Sequence, residues 1–505
     1  MREFRTLLRM AGVSLLLGLL LLPAGCGGGS SSSDGDGSDT PTVGNSIVSV
    51  SPADADMDVP ITETIIVTCA ETAVLGDISG VTLMTGVTNV PVTVSVSGND
   101  MLVDPVPLLE KAREYTLTLP AGAIEGVDEE TVITFTTIQI EFVERTGVLV
   151  SDIAGASIGR TDMSNNIVVS ETGVIHEVWK VPAIMSASPA AEDGIYYSRS
   201  TDGGASFEPS VLVRAAAGLP VNVANQIEPE ISCSGEDNVF IAYPNANGQM
   251  EVTRSSDGGD TWQTPVVIGE AGTLSEQKHI TAMGANVYIS ANDGDAPQSA
   301  SVDNGGNTFI RSTDSGVTFE TPITGLMGYP LHALLINPLN GDIYILGTEP
   351  TGVNEPTDVF YVRSTDGGET FEVAVDSGHT VSHAGYCFDR LGRIVIIARD
   401  GKLVIGDMNT GTWSESDTVG TSSLSLQSTM TVDGDNTIYR VGTAASDSQI
   451  HITYSMDDGL TFTDELIDAG SYPNAASSVN MSGVAMVYMR DNAVYFAYRN
   501  PIAAP

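Results

Sequence analysis

Ser364-Thr-Asp366-Gly-Gly368-Glu-Thr370-Phe371 is one of five stretches that fit S-x-D-x-G-x-[ST]-[FW]. The others begin at Ser200, Ser255, Ser312 and Ser455, with aspartates at Asp202, Asp257, Asp314 and Asp457. A decayed copy, Asp407-Met-Asn-Thr-Gly411-Thr-Trp413, lies between the fourth and the fifth. Successive aspartates, the decayed one included, are 55, 57, 52, 41 and 50 residues apart. A period near 50 means one supersecondary unit, repeated, each copy burying its apolar face on its neighbours.

Each copy sits between apolar runs, such as Ile195-Tyr-Tyr197 and Val211-Leu-Val213 around the first. Asp-Gly-Gly between strands is a hairpin signal, because glycine accepts positive φ without steric cost. The Asp carboxylate can hold the turn by accepting backbone N–H groups, and the closing Phe or Trp packs it onto the sheet. Five copies of a catalytic residue would serve no purpose, so Asp202, Asp257, Asp314, Asp366 and Asp457 read as structural. Arg199, Arg254, Arg311 and Arg363 precede four of them and read as strand residues, not as a substrate clamp.

The pattern resembles the Asp-box, or BNR, repeat of the sialidase-like β-propellers, and the resemblance covers roughly residues 140–505. It implies an all-β propeller with these turns at its periphery, away from any active site.

Residues 1–25 read as a targeting segment. Arg2, Arg5 and Arg9 form a basic n-region, and Ala11 to Leu22 an apolar stretch too short for a comfortable membrane span. Leu22-Pro-Ala-Gly-Cys26 resembles a bacterial lipoprotein cleavage box, with Pro where Leu is usual. That resemblance makes 1–25 a lipoprotein signal peptide and Cys26 the lipidated terminus, an anchor and not a span. Residues 26–45, rich in Gly, Ser and Asp, cannot bury a core and read as a tether. The remaining Cys69, Cys233 and Cys387 are an odd number on separate segments, which argues against a disulfide framework.

Residues 46–138 show short alternating runs punctuated by Gly, Asn and Pro, the pattern of a β-sandwich. Ser51-Pro-Ala-Asp54, Val59-Pro60, Leu109 through Tyr115-Thr-Leu-Thr-Leu-Pro120 and the closing Thr134-Phe-Thr-Thr137 resemble the bacterial Ig-like domain. The resemblance implies a spacer beneath the propeller of residues 139–505.

The formal charge is −43, and removal of three Arg and one Glu with the signal takes it to about −45. No basic stripe exists to neutralise phosphates, so nucleic-acid binding is excluded as a reading. Membrane contact is expected only through the lipid. No P-loop, GxGxxG after a strand, HExxH or CxxC pair is present, and no cofactor or metal site is read.

A unit after the last Asp-box offers Ser477–Ser482, Val484–Met489 and Ala493–Tyr498 and then the chain stops. Its missing fourth strand is expected from Phe142–Val150, closing the ring with strands from both ends. This reading gives seven blades; six is the alternative.

Loops converge where inner strands begin, at the mouth of the central channel. Alignment of the repeats puts Glu228, His279, His332, His383 and Gln427 at one level, flanked by Tyr329 and Tyr472. These are the candidate ligand-binding residues, with channel filling as the competing role. A sialidase needs an arginine triad and an R-I-P motif; here the corresponding stretch is Ile158-Gly-Arg160-Thr-Asp162. Other glycosidases need two carboxylates about 5–10 Å apart; Glu228 and Glu230 are candidates without a partner, and no catalytic residue is assigned. The expected function is therefore a lipid-anchored, monomeric, extracytoplasmic propeller that binds a glycan, peptide or surface protein without catalysis. The alternative is a sialidase-like glycoside hydrolase or lyase acting on extracellular polysaccharide.

Overall fold

The computed structural model describes residues 45–500 apart from 60–63, 106–108, 110–112, 138–141, 154, 159–164, 182–192, 217–218, 220–228, 248, 270–273, 294–306, 328–330, 349–356, 382–383, 399–400, 417–423 and 445. The signal, lipidation and tether readings, Cys26 included, lie outside the described residues.

Residues 45–137 form two sheets around one core. One sheet orders Ile47–Ser51, Ile65–Cys69, Asp100–Pro105 and Val92–Ser97. The other orders Asp56–Val59, Thr131–Thr137, Glu114–Leu119, Thr82–Thr85 and Thr88–Val90. Alternation does the sorting: Tyr115, Leu117 and Leu119 point inward, while Thr116 and Thr118 are half-buried. Ile65, Val67, Leu83, Val103 and Phe135 meet them in the core.

The rest of the described chain forms seven sheets, which we number as blades. Blades 1 to 6 span 167–215, 230–268, 274–312, 331–381, 384–416 and 424–469. Blade 7 takes Ser471–Ala476, Val484–Arg490 and Ala493–Arg499 from one end of the chain and Arg145–Leu149 from the other. Val148 pairs opposite Phe496 and Leu149 opposite Tyr495 in that antiparallel closure. First strands of successive blades touch in turn, and the first strand of blade 7 touches that of blade 1. They are therefore the inner strands of a closed ring. Blade 3 has three named strands; Ile323 covers its edge, exchanging two 2.8 Å backbone bonds with Phe309.

The inner strand of blade 7 departs from expectation. It is Ser471–Ala476, not Ser477–Ser482, and the latter forms the turn, where Ser477 Oγ donates to Gly483 O at 2.7 Å. Proline cannot donate to a strand ladder, yet Pro473 lies within this strand. It is tolerated because it sits in a register shift between Ser471 and Asn474, where no ladder N–H is required.

All five S-x-D-x-G turns share one bonding scheme. In the fourth, Asp366 Oδ1 accepts from Ser364 Oγ at 2.8 Å and from Thr370 N at 2.9 Å, and Oδ2 accepts from Thr370 Oγ1 at 2.6 Å. Gly368 N donates to Ser364 Oγ at 2.8 Å. The same bonds recur at Asp202, Asp257, Asp314 and Asp457. They hold the carboxyls below the usual range: the Thr318 hydroxyl and N–H take Asp314 down to about 2.

Two further contacts explain the neighbouring positions. The glycine two places after the Asp has positive φ in every turn, and in four of the five it packs under an aromatic ring of the preceding blade; in the fifth, Gly459 meets Leu403 instead. A Cβ on Gly259 would lie 2.2 Å from Tyr197 Oη, and one on Gly204 2.1 Å from Phe496. Arginine precedes four of the five turns, and in three of these it reaches the next blade's turn. Arg199 Nη1 donates to Gly258 O at 2.6 Å, and Arg311 Nη1 to Gly367 O at 3.0 Å. Blade 5 carries only the decayed copy, so Arg363 folds back onto Asp342 of its own blade at 2.9 Å. Arg393 of blade 5 supplies the link onward, to Asp458 at 3.1 Å.

Candidate functional site

Every inner strand begins at the same end of the ring. The ends of second strands and the starts of third strands gather there too, while the repeated turns lie at the opposite end. Bulges mark the inner-strand starts. Registers shift between Leu274 and Lys278, Leu331 and Ala333, Leu424 and Ser428, and Ser471 and Asn474. A bulge bends its strand and re-aims the side chain it carries.

His279 and His332 both lie at this end, and each is engaged with a different blade. His279 Nδ1 is 3.7 Å from Oε1 of Glu230, whose side chain is fully buried at the start of blade 2. Glu230 Oε2 also accepts the Ile280 N–H at 3.0 Å, tying the inner strands of blades 2 and 3 together. His332 Nε2 is 2.8 Å from Thr348 Oγ1, and its ring stacks on Tyr386 of blade 5 with centroids 6.1 Å apart. Gln427 falls within the bulge of blade 6, but its side chain lies outside the described residues, as do Glu228, Tyr329, His383 and Arg160. Among the described residues no group of three or more His, Cys, Asp or Glu could hold a metal ion.

Tyr472 is the most unusual residue at this end. Its φ is +54°, and it precedes a proline. Positive φ is rare for an aromatic residue, and a following proline favours extended backbone. The bulge holds it there with 38 % of its surface exposed. Tyr472 lines a cavity of about 950 Å³ that crosses the top of blade 7 from Ser471 to Leu149. The far wall is formed by Leu149, residues 151–153 and residues 155–157, between blade 7 and blade 1. Ser151 pins that wall, its Oγ accepting the Val494 N–H at 3.0 Å, and Asp152 accepts from Ser210 Oγ. The Asp491-Asn492 hairpin turn forms the rim, with φ of +52° and +59° as a two-residue primed turn requires.

Arg490 is the one cation on the described wall, and its charge is already paired. Its Nη1 donates to Asp468 Oδ2 at 2.5 Å, and its guanidinium stacks on Tyr495 at 4.0 Å from the ring centroid. Tyr488 Oη donates to the same Asp468 oxygen at 2.6 Å. Sequence reasoning missed Arg490, Tyr495 and Asp152. The hairpin at 491–492 is legible, but nothing local shows that a linker from the other end of the chain will roof it.

Two other buried acids and bases are sealed within blade 1. Glu177 is fully buried, with neither carboxyl oxygen bonded among the described residues. Burial pushes its pKa well above the usual value. Its neighbour His176 is 2.7 Å from Tyr197 Oη, and burial with nearby Arg199 lowers its pKa to about 3. Neither is open to a substrate.

Residues 41–137 match the family model described as bacterial Ig-like domain. No curated protein matches the chain. Among solved structures, the Hadza microbial sialidase Hz136 is 14 % identical, with 81 % of this chain and 78 % of that one covered and a TM-score of 0.40. YCF48 bound to D1 peptide is 13 % identical, covering 70 % and 97 %, with a TM-score of 0.39. The Penicillium chrysogenum alpha-L-arabinanase complexed with arabinobiose is 12 % identical, covering 72 % and 100 %, with a TM-score of 0.40. The architecture of this chain is all-β, an Ig-like sandwich followed by a propeller, on the sheet order given above.

Proposed function

We propose that this chain is an extracytoplasmic binding protein, which takes a glycan at the end of the ring where the inner strands begin. The lipobox reading anchors it through Cys26 to the bacterial envelope. The tether and the Ig-like domain then raise the propeller off the membrane as a spacer, with no nucleic-acid or cofactor role.

The observation that carries this reading is Tyr472. An aromatic ring held at φ +54° before a proline, with its side chain on a 950 Å³ cavity, is a strained residue at an open concave site. Such strain persists where the surroundings over-determine it, and it clusters at ligand sites. An exposed aromatic face beside carboxylates, an amide and hydroxyls suits a sugar, which offers C–H on one side and O–H around its edge.

Binding is preferred to hydrolysis because Glu230 and Glu177, both fully buried, are not among the residues that line the cavity. Glu230 ties two inner strands together, and Glu177 is buried within blade 1. The ring candidates Glu228, His279, His332, His383 and Gln427, with Tyr329, remain proposed neighbours of the ligand toward the channel axis. A glycan array probed with the chain, followed by reducing-end assays on each hit, tests the reading. Retention of at least one glycan without cleavage is expected. Cleavage of a retained glycan would make the chain a glycosidase, and an empty array would remove the glycan.

A further inference from the structure

We infer that the cavity across blade 7 selects a neutral saccharide and rejects sugars that carry a carboxylate. This rests on the glycan reading above and names the class of ligand.

The wall decides it. A uronate or sialate needs a free cation, best a guanidinium offering two parallel N–H donors. The charge of the cavity's arginine, Arg490, is already paired through Nη1 with Asp468, and its flat face covers Tyr495. The other charged groups on the described wall, Asp152 and Asp491, are both acidic. A carboxylate entering here would meet two negative groups and one cation already paired, within a chain of net charge −43. A neutral sugar meets no such repulsion. Its hydroxyls donate to the Asp491 and Asp152 carboxylates, Asn492 offers both a donor and an acceptor, and the apolar face of the ring lies on Tyr472. The cavity runs radially, from the inner strand at Ser471 to the outer strand at Leu149, which suits several sugar units in line.

The test is isothermal titration of the purified full-length chain with two sets of oligosaccharides. The neutral set is cellopentaose, xylopentaose, mannopentaose and arabinopentaose; the acidic set is trigalacturonate, triguluronate and 3′-sialyllactose. Pentalysine serves as a cationic control. At least one neutral sugar is expected to bind, with the acidic set at least tenfold weaker. Tyr472→Gly should weaken that binding at least tenfold while raising the melting temperature, because glycine relieves the positive φ. The paired gain and loss separates loss of a ligand contact from loss of fold.

An acidic sugar that binds as well as the neutral ones, and depends on Tyr472, overturns this inference and leaves the glycan reading standing. Failure of every sugar sinks both. Tyr472-dependent binding of pentalysine replaces the sugar by a cationic peptide. Unchanged neutral-sugar affinity in Tyr472→Gly moves the site out of this cavity.

Discussion

Gly259→Ala puts the contact between neighbouring blades to a quantitative test. Gly259 sits at φ +98°, and an added Cβ would lie 2.2 Å from Tyr197 Oη and 2.6 Å from Cζ of that ring. Two costs follow. A non-glycine residue at positive φ costs about 1–2 kcal/mol in backbone strain. Forcing a methyl against a packed ring costs about 1–3 kcal/mol more, since blade 1 must shift for it to fit. The sum is about 2–5 kcal/mol, and only the second part depends on Tyr197. Equilibrium urea unfolding of Gly259→Ala, Tyr197→Leu and the double variant separates the two. The glycine substitution should cost about 1–3 kcal/mol less when Leu replaces Tyr197. Equal costs in both backgrounds would mean that the turn is strained but does not register one blade against the next. Gly204→Ala provides a check at the ring closure, where the ring beneath is Phe496 of blade 7.

Asp202→Ala should cost roughly 1–3 kcal/mol, because the Ser206 N–H and two hydroxyls lose their acceptor. Any glycan affinity should survive in that variant wherever the fold does, and loss of affinity at unchanged melting temperature would contradict a structural turn. Acid should remove the turns' contribution: these carboxyls titrate below 3.8 when folded, so their stabilisation is present above 3.8 and fades as pH falls toward about 2 for Asp314. Acid titration of melting temperature, with Asp314→Asn losing its share of the drop, checks this. His451 gives the opposite sign. Burial opposes its charge, but Asp447 and Asp464, each 3.0 Å away, outweigh it and raise its pKa above 6.5. Its stabilisation is therefore full below pH 6.5 and lost as pH rises through the folded value, so His451→Gln should flatten the alkaline side of the stability curve. Cys26→Ser should release the protein from membranes, and unchanged detergent partitioning would refute the lipobox.

The end of the ring that carries the repeated turns was legible because its physics is local. Asp366 bonds residues within four positions of itself, so five copies of an eight-residue string specify five turns. The arginine that precedes four of the turns was legible as a repeat but not as a link. Its partner, such as Gly367 for Arg311, lies 56 residues away, one full period along the chain. The exception at Arg363 belongs to the same logic: where the next blade has no complete turn, the arginine finds a carboxylate at home.

The opposite end obeys no repeat, which is why its residues were assigned by level and only partly placed. His279 and His332 occupy matching positions, yet one meets Glu230 of the blade before and the other Tyr386 of the blade after. The bulges at the inner-strand starts break the register there, and a one-residue shift sends a side chain to the other face. Tyr472 shows what that irregularity permits. A ladder with regular pairing through 471–474 would need an N–H from residue 473, and proline has none. The bulge removes the need and turns Tyr472 into positive φ, where its side chain lines the cavity. The cavity also needs Leu149 and Asp152, more than 300 residues earlier in the chain. A ring closed by strands from both ends thus creates, at the seam, a place where repeat-bound and unique sequence meet. A binding site can be built there without disturbing the turns that hold the other blades in register.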